Sequence, residues 1–160
     1  MFAEGDRVVY PLHGGAIIKA IEKHQDGSTV KEYFVLQMLF DRMQVSIPVS
    51  SAEKVGLRYI ATDGELNKVA AVLQITPDLQ AVKSISWNRR FHVYMEKIKT
   101  GNILEVAEVF KILISLEKDK KISVGERRLL HNTKQILESE IMLIRDCDAE
   151  KAEMWLKSYC

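Results

Sequence analysis

Thr62-Asp63-Gly64-Glu65 divides the chain into two kinds of pattern. A hydroxyl followed three residues later by a carboxylate is a capping box, in which each side chain satisfies a backbone N–H left unpaired at a helix start. Before this stretch the apolar residues recur with a period near two, and after it with a period near 3.6. The change predicts an α+β protein, with a β unit over residues 1–55 and an all-helical unit over residues 60–160.

Upstream, Arg7-Val8-Val9-Tyr10, Ala16 to Glu22, Val30 to Met38 and Val45 to Ile47 are short runs rich in Val, Ile, Tyr and Phe. Branched and aromatic side chains suit a pleated, half-buried surface, so each run reads as a strand. Gln25-Asp26-Gly27-Ser28 is a hairpin signal, because Asp-Gly accepts the positive φ of a tight turn. The length of this unit fits a five-stranded partial barrel of the Tudor or SH3 kind.

Downstream, the start signal recurs at Ser123-Val124-Gly125-Glu126, with a close variant at Asn102-Ile103-Leu104-Glu105 and a further cap at Asp148. Apolar stripes follow: Leu66, Val69, Val72 and Leu73; Phe91, Met95 and Ile98; Val106, Val109, Phe110, Leu113 and Leu116; Leu129, Leu130, Ile136, Leu137 and Ile141. The expectation is a compact bundle of about five helices, with residues 77–86 a loop.

Net charge is +1, which argues against indiscriminate coating of nucleic acid. The distribution is uneven, however: residues 83–134 hold twelve Lys and Arg against six Asp and Glu, and residues 135–160 hold three against six. Any nucleic-acid contact is therefore expected in the middle of the chain. No apolar run resembles a signal peptide or a membrane span, which predicts a cytoplasmic protein. Cys147 and Cys160 lack metal-site spacing and read as free thiols. Neither a phosphate-binding glycine loop, a GxSxG elbow nor an HExxH helix is present, so the sequence predicts neither an enzyme nor a cofactor.

Ser86-Trp87-Asn88-Arg89-Arg90-Phe91-His92 puts a tryptophan and two arginines within one turn of a helix start. Two readings stand. Trp87 shares a stripe with Phe91, Tyr94 and Ile98 and could be core, with both arginines merely solvated. Alternatively it projects at the end of the stripe as an apolar wedge beside groups that hold phosphates. Arg127 and Arg128, with His131 and Lys134, form a second basic cluster after the Ser123 cap. Two arginines oppose the macrodipole there, which favours an anion as their partner over bare solvent.

Taken together, these residues resemble the CarD/CdnL family over essentially the whole length. The resemblance rests on Gly5-Asp6-Arg7-Val8-Val9-Tyr10-Pro11 with His13-Gly14, Lys31-Glu32-Tyr33 with Val35-Leu36, Pro48, and Val55-Gly56-Leu57-Arg58. It continues through Trp87 with Arg89-Arg90, Val106-Ala107-Glu108-Val109, and Gly125-Glu126 with Arg128 and Leu130. It implies a Tudor-like module, shared with transcription-repair coupling factors, that binds the β subunit of RNA polymerase. It also implies a helical half that contacts promoter DNA at the upstream edge of the transcription bubble and prolongs the open complex. In that picture Trp87 enters the minor groove, and Arg89, Arg90, Lys97, Arg127, Arg128 and Lys134 are the basic DNA contacts. His24, Asp26 and Ser46 fall at the polymerase-facing positions, where His24 and Ser46 replace residues that are basic in other members. The competing readings are a Tudor-like RNA or ribosome-associated binder independent of polymerase, and a structural protein whose helices oligomerise.

Overall fold

The computed structural model describes all 160 residues. Five antiparallel strands, β1 (Arg7–Tyr10), β2 (Gly14–Asp26), β3 (Thr29–Met38), β4 (Gln44–Pro48) and β5 (Arg58–Tyr59), form one sheet in the order β4-β3-β2-β1-β5. Six helices follow: α1 (Asp63–Leu73), α2 (Leu79–Ser84), α3 (Trp87–Lys99), α4 (Ile103–Lys118), α5 (Val124–Arg145) and α6 (Ala149–Tyr159). The sixth is α2, inside the stretch expected to be a loop. Asp78 caps it by accepting from the Ala81 N–H at 3.2 Å, and six residues are too few to show an apolar stripe in the sequence. No helix is long and apolar enough to cross a membrane.

The strands outrun their sequence signal. β2 continues past Glu22 to Asp26, paired with β3 out to Thr29, as a two-stranded ribbon whose side chains are almost all solvated. With neither face buried, nothing there enforces alternation. A register shift between Ile18 and Ala20 bends β2, so the inner part of the sheet curls over Val8, Ile18, Phe34, Leu36 and Ile47.

The helical core is larger, with Phe110, Leu113, Leu137 and Ile141 among its fully buried members. On α3 the buried residues are Tyr94 and Ile98. Phe91, expected on the buried stripe, is 41% exposed, and Met95 is only partly covered. The first turn of α3 thus projects beyond the part of the helix that packs into the core.

Sheet and bundle are joined along α5. The Gly15 N–H donates to Ser139 Oγ at 2.7 Å, and a Cβ on Gly15 would lie 3.0 Å from the Ser139 carbonyl oxygen, so only glycine permits this approach. Arg7 donates to the Leu143 carbonyl and pairs with Asp146. Arg58, on β5, grips Glu140 with two hydrogen bonds of 2.8 Å, and the Ala61 N–H donates to the same carboxylate at 2.7 Å. The β unit therefore extends past residue 55: β5 pairs with β1 and carries the arginine that reaches the bundle.

Candidate nucleic-acid interface

The helix start that carries Trp87 has no side-chain cap, since the Ser86 hydroxyl makes no hydrogen bond to the first turn. What holds this end is α5. Glu126, the fourth residue of the Ser123 capping box, is completely buried and accepts from Ser123, from Tyr94 Oη at 3.1 Å and from two nitrogens of Arg90 at 3.2 and 3.3 Å. One carboxylate thus ends α5 correctly and ties α3 to it. Burial would raise the Glu126 carboxyl, but the hydrogen bonds from Arg90 and Ser123 outweigh it and hold it below its ordinary value. Burial and the adjacent Glu126 charge push the Tyr94 hydroxyl in the opposite direction, well above the usual phenol range.

Trp87 is 37% exposed, neither core nor free in solvent. One edge of its indole rests on Gly125, where a Cβ would lie 2.7 Å from Cζ2. The Phe91 ring lies 5.5 Å away and the Arg90 guanidinium 5.9 Å from the indole centroid. Val124, next to Gly125, is 75% exposed. Arg89 on α3 and Arg127 and Arg128 on α5 are exposed and enter no ion pair. Val124, Arg127, Arg128, His131 and Asn132 line a shallow hollow of about 550 Å3. An apolar ring on α3 and cations on α3 and α5 that lack carboxylate partners are the kinds of group that meet a base step and its phosphates.

Three of the expected contacts are already engaged within the protein. Arg90, beside the Trp87 ring, has its side chain 16% exposed and bonded to Glu126 and the Ile85 carbonyl. Lys97 is paired with Glu108, and Lys134 with Glu153 at 2.7 Å and Glu138 at 3.8 Å. The sequence places Val124, Gly125 and Glu126 at a helix start, and Gly125 and Glu126 in the family resemblance, but not against Trp87; a glycine in a helical first turn is the signal that a neighbour comes close there.

On the sheet, His24 pairs with Glu22 at 3.0 Å and stands edge-on to Tyr33, and Asp26 pairs with Lys31 at 3.1 Å. Ser46 lies on edge strand β4, in register through Val35 with Ala20. His24 is four residues further along β2, roughly 13 Å at the rise of an extended strand. The three positions do not form one patch. The unpaired side of β4 is one of the two edges of the sheet, the longer one, since β5 has only two residues.

The architecture is that of a Tudor-like sheet fixed to a helical bundle that displays a partly exposed aromatic ring. The CarD-like/TRCF RID domain matches residues 2–61, and the CarD C-terminal domain matches residues 64–157. A protein of Bacillus subtilis (strain 168), described as "Putative transcription factor YdeB", is 32% identical over 145 residues, which cover 91% of this chain and 93% of that protein. The chain belongs to the CarD family and is a transcription regulator.

Proposed function

We propose that this regulator binds the β subunit of RNA polymerase through its sheet and stabilises the open promoter complex through its bundle, with Trp87 as a wedge in the minor groove at the upstream edge of the bubble. The observation that carries this reading is the partly exposed indole at the start of α3, together with the exposed and unpaired Arg89 on the same helix and Arg127 and Arg128 on α5. A buried tryptophan would have argued for a purely structural role. On the polymerase side, support comes from the open edge of β4, which can add a strand through backbone groups whatever its side chains. Such a factor acts in the cytoplasm, where transcription occurs.

Stabilisation requires tighter binding to the open complex than to the closed one, because equal affinity shifts no population. A ring that inserts only at an unstacked step supplies that difference. The test is Trp87→Ala, measured for open-complex lifetime, capture of polymerase core and thermal melting on one preparation. The expected result is a shortened lifetime with polymerase capture and melting close to the parent. A variant that prolongs open complexes as well as the parent overturns the reading, as does a parent protein that binds free RNA tightly and ignores polymerase.

A further inference from the structure

The indole of Trp87 does not choose its own direction. It is the first residue of α3, at a helix start without a side-chain cap, and more than a third of it faces solvent. A ring so placed would ordinarily sample several rotamers. Three groups restrict it, and α5 supplies or anchors two of them. Gly125 leaves room for the benzo edge, because a side chain at this position would start 2.7 Å from Cζ2 and 3.0 Å from Cη2. Phe91 closes one side at 5.5 Å. The Arg90 guanidinium stands near the ring, held in turn by the buried Glu126 and by the Ile85 carbonyl.

We propose that Gly125 and Glu126 are positioning residues for the Trp87 wedge, forming a seat on α5 that fixes the ring's direction before any DNA arrives. The inference rests on the wedge reading of Trp87. Its physical content is preorganisation: a ring already held in the inserting direction loses less rotamer freedom on binding, so more of the contact energy remains to stabilise the open complex. Glu126 acts through Arg90, and Gly125 acts by lacking a side chain. Gly125 has no positive φ to accommodate, so close approach of the ring is what the glycine serves there.

The experiment uses the full chain with Trp155→Phe as background, which leaves Trp87 as the sole tryptophan. Gly125→Ala and Glu126→Gln are compared with that parent for emission maximum, acrylamide quenching, melting and open-complex lifetime. Alanine is the better helix former, so Gly125→Ala does not weaken α5 itself. The expected result for Gly125→Ala is a shifted emission maximum, stronger quenching and a lifetime reduced towards that of Trp87→Ala, without a lower melting temperature. Glu126→Gln keeps the side chain's shape and should shift the emission in the same direction by less. Unchanged emission and quenching in both variants overturns the seat. So does a shifted emission with a parental lifetime, provided Trp87→Ala shortens it. If neither variant nor Trp87→Ala alters the lifetime while the emission still shifts, the seat stands as a structural fact and the wedge reading fails.

Discussion

Arg58 and Glu140 lie 82 residues apart in sequence and meet in a two-pronged pair across the joint between sheet and bundle, each hydrogen bond 2.8 Å long. The Glu140 carboxylate is almost wholly buried and also receives the Ala61 N–H, so its charge is matched on both oxygens.

Removing the arginine strands that charge. Arg58→Ala is expected to cost about 3–5 kcal/mol, the usual penalty for leaving a buried ion without its partner. Urea unfolding measures it. A loss under about 1 kcal/mol would mean that the pair is effectively solvated, in the range of surface ion pairs.

The approach of Gly15 to α5 makes a second prediction about the same joint. Gly15→Ala puts a Cβ 2.9 Å from Leu143 Cδ1 and 3.0 Å from the Ser139 carbonyl oxygen, a backbone atom that cannot step aside. The expected cost is about 1–3 kcal/mol of overpacking, with faster amide exchange at position 15, whose N–H is bonded to Ser139. Parental exchange at that amide would place the slack elsewhere.

Arginines that look alike in the sequence should behave differently. Replacing Arg89, Arg127 and Arg128 by Ala should flatten the salt dependence of promoter-complex affinity, by up to about 0.9 in log-log slope for each phosphate that is no longer neutralised. Melting should hardly move. Arg90→Ala should do the reverse in the free protein, destabilising it by roughly 3–5 kcal/mol because Glu126 is left buried and unpaired. Thermal melting and a salt titration on the same variants separate the two groups; a triple variant with the parental slope makes those arginines ordinary solvated surface.

Two carboxylates of α5 should respond to pH with opposite sign. Burial raises Glu138 above its ordinary value of 4.5 despite the nearby Lys134 and Lys157, with Glu153 adding to the rise. The folded state therefore resists ionising it, and stability is lost as pH climbs from the unfolded value through the raised one. Glu138→Gln should accordingly melt higher than the parent at pH 7, and the difference should shrink once pH falls below the ordinary carboxylate value. Glu126 is lowered, so the stability it contributes is present above its unfolded value and disappears as pH falls through the depressed one. Melting curves across pH for the parent, Glu138→Gln and Glu126→Gln give both signs, and a Glu138→Gln variant less stable than the parent at neutral pH contradicts the first.

What the sequence made legible was whatever is encoded locally. Thr62, Asn102, Ser123 and Asp148 each cap the helix assigned to them, because a cap joins residues two or three apart. The switch of period near residue 60 marked the two units for the same reason. Contacts between distant segments left no such trace. Glu138-Ser139-Glu140 reads as a solvated turn of helix, yet all three are buried, since the sheet packs on one side of α5 and α6 on another. Phe91 reads as core and is not, because periodicity tells which residues share a face but not where along the helix its neighbour ends. Arg90 beside Arg89 is the sharpest instance: adjacent identical residues point about 100° apart on a helix, one towards Glu126 and the other to solvent.

Only Ile60, Ala61 and Thr62 separate β5 from α1, and Ala61 is itself bonded to Glu140, so the chain passes from sheet to bundle without a tether. A flexible linker spreads the effective concentration of a second binding surface through a volume set by its length. A stiff joint gathers it at a single point. Under the proposed function, a polymerase held by the sheet would meet the indole of Trp87 at one offset and one angle, and the molecule would work as a gauge: two surfaces set at the wrong spacing could not both be engaged, however strongly each is recognised alone.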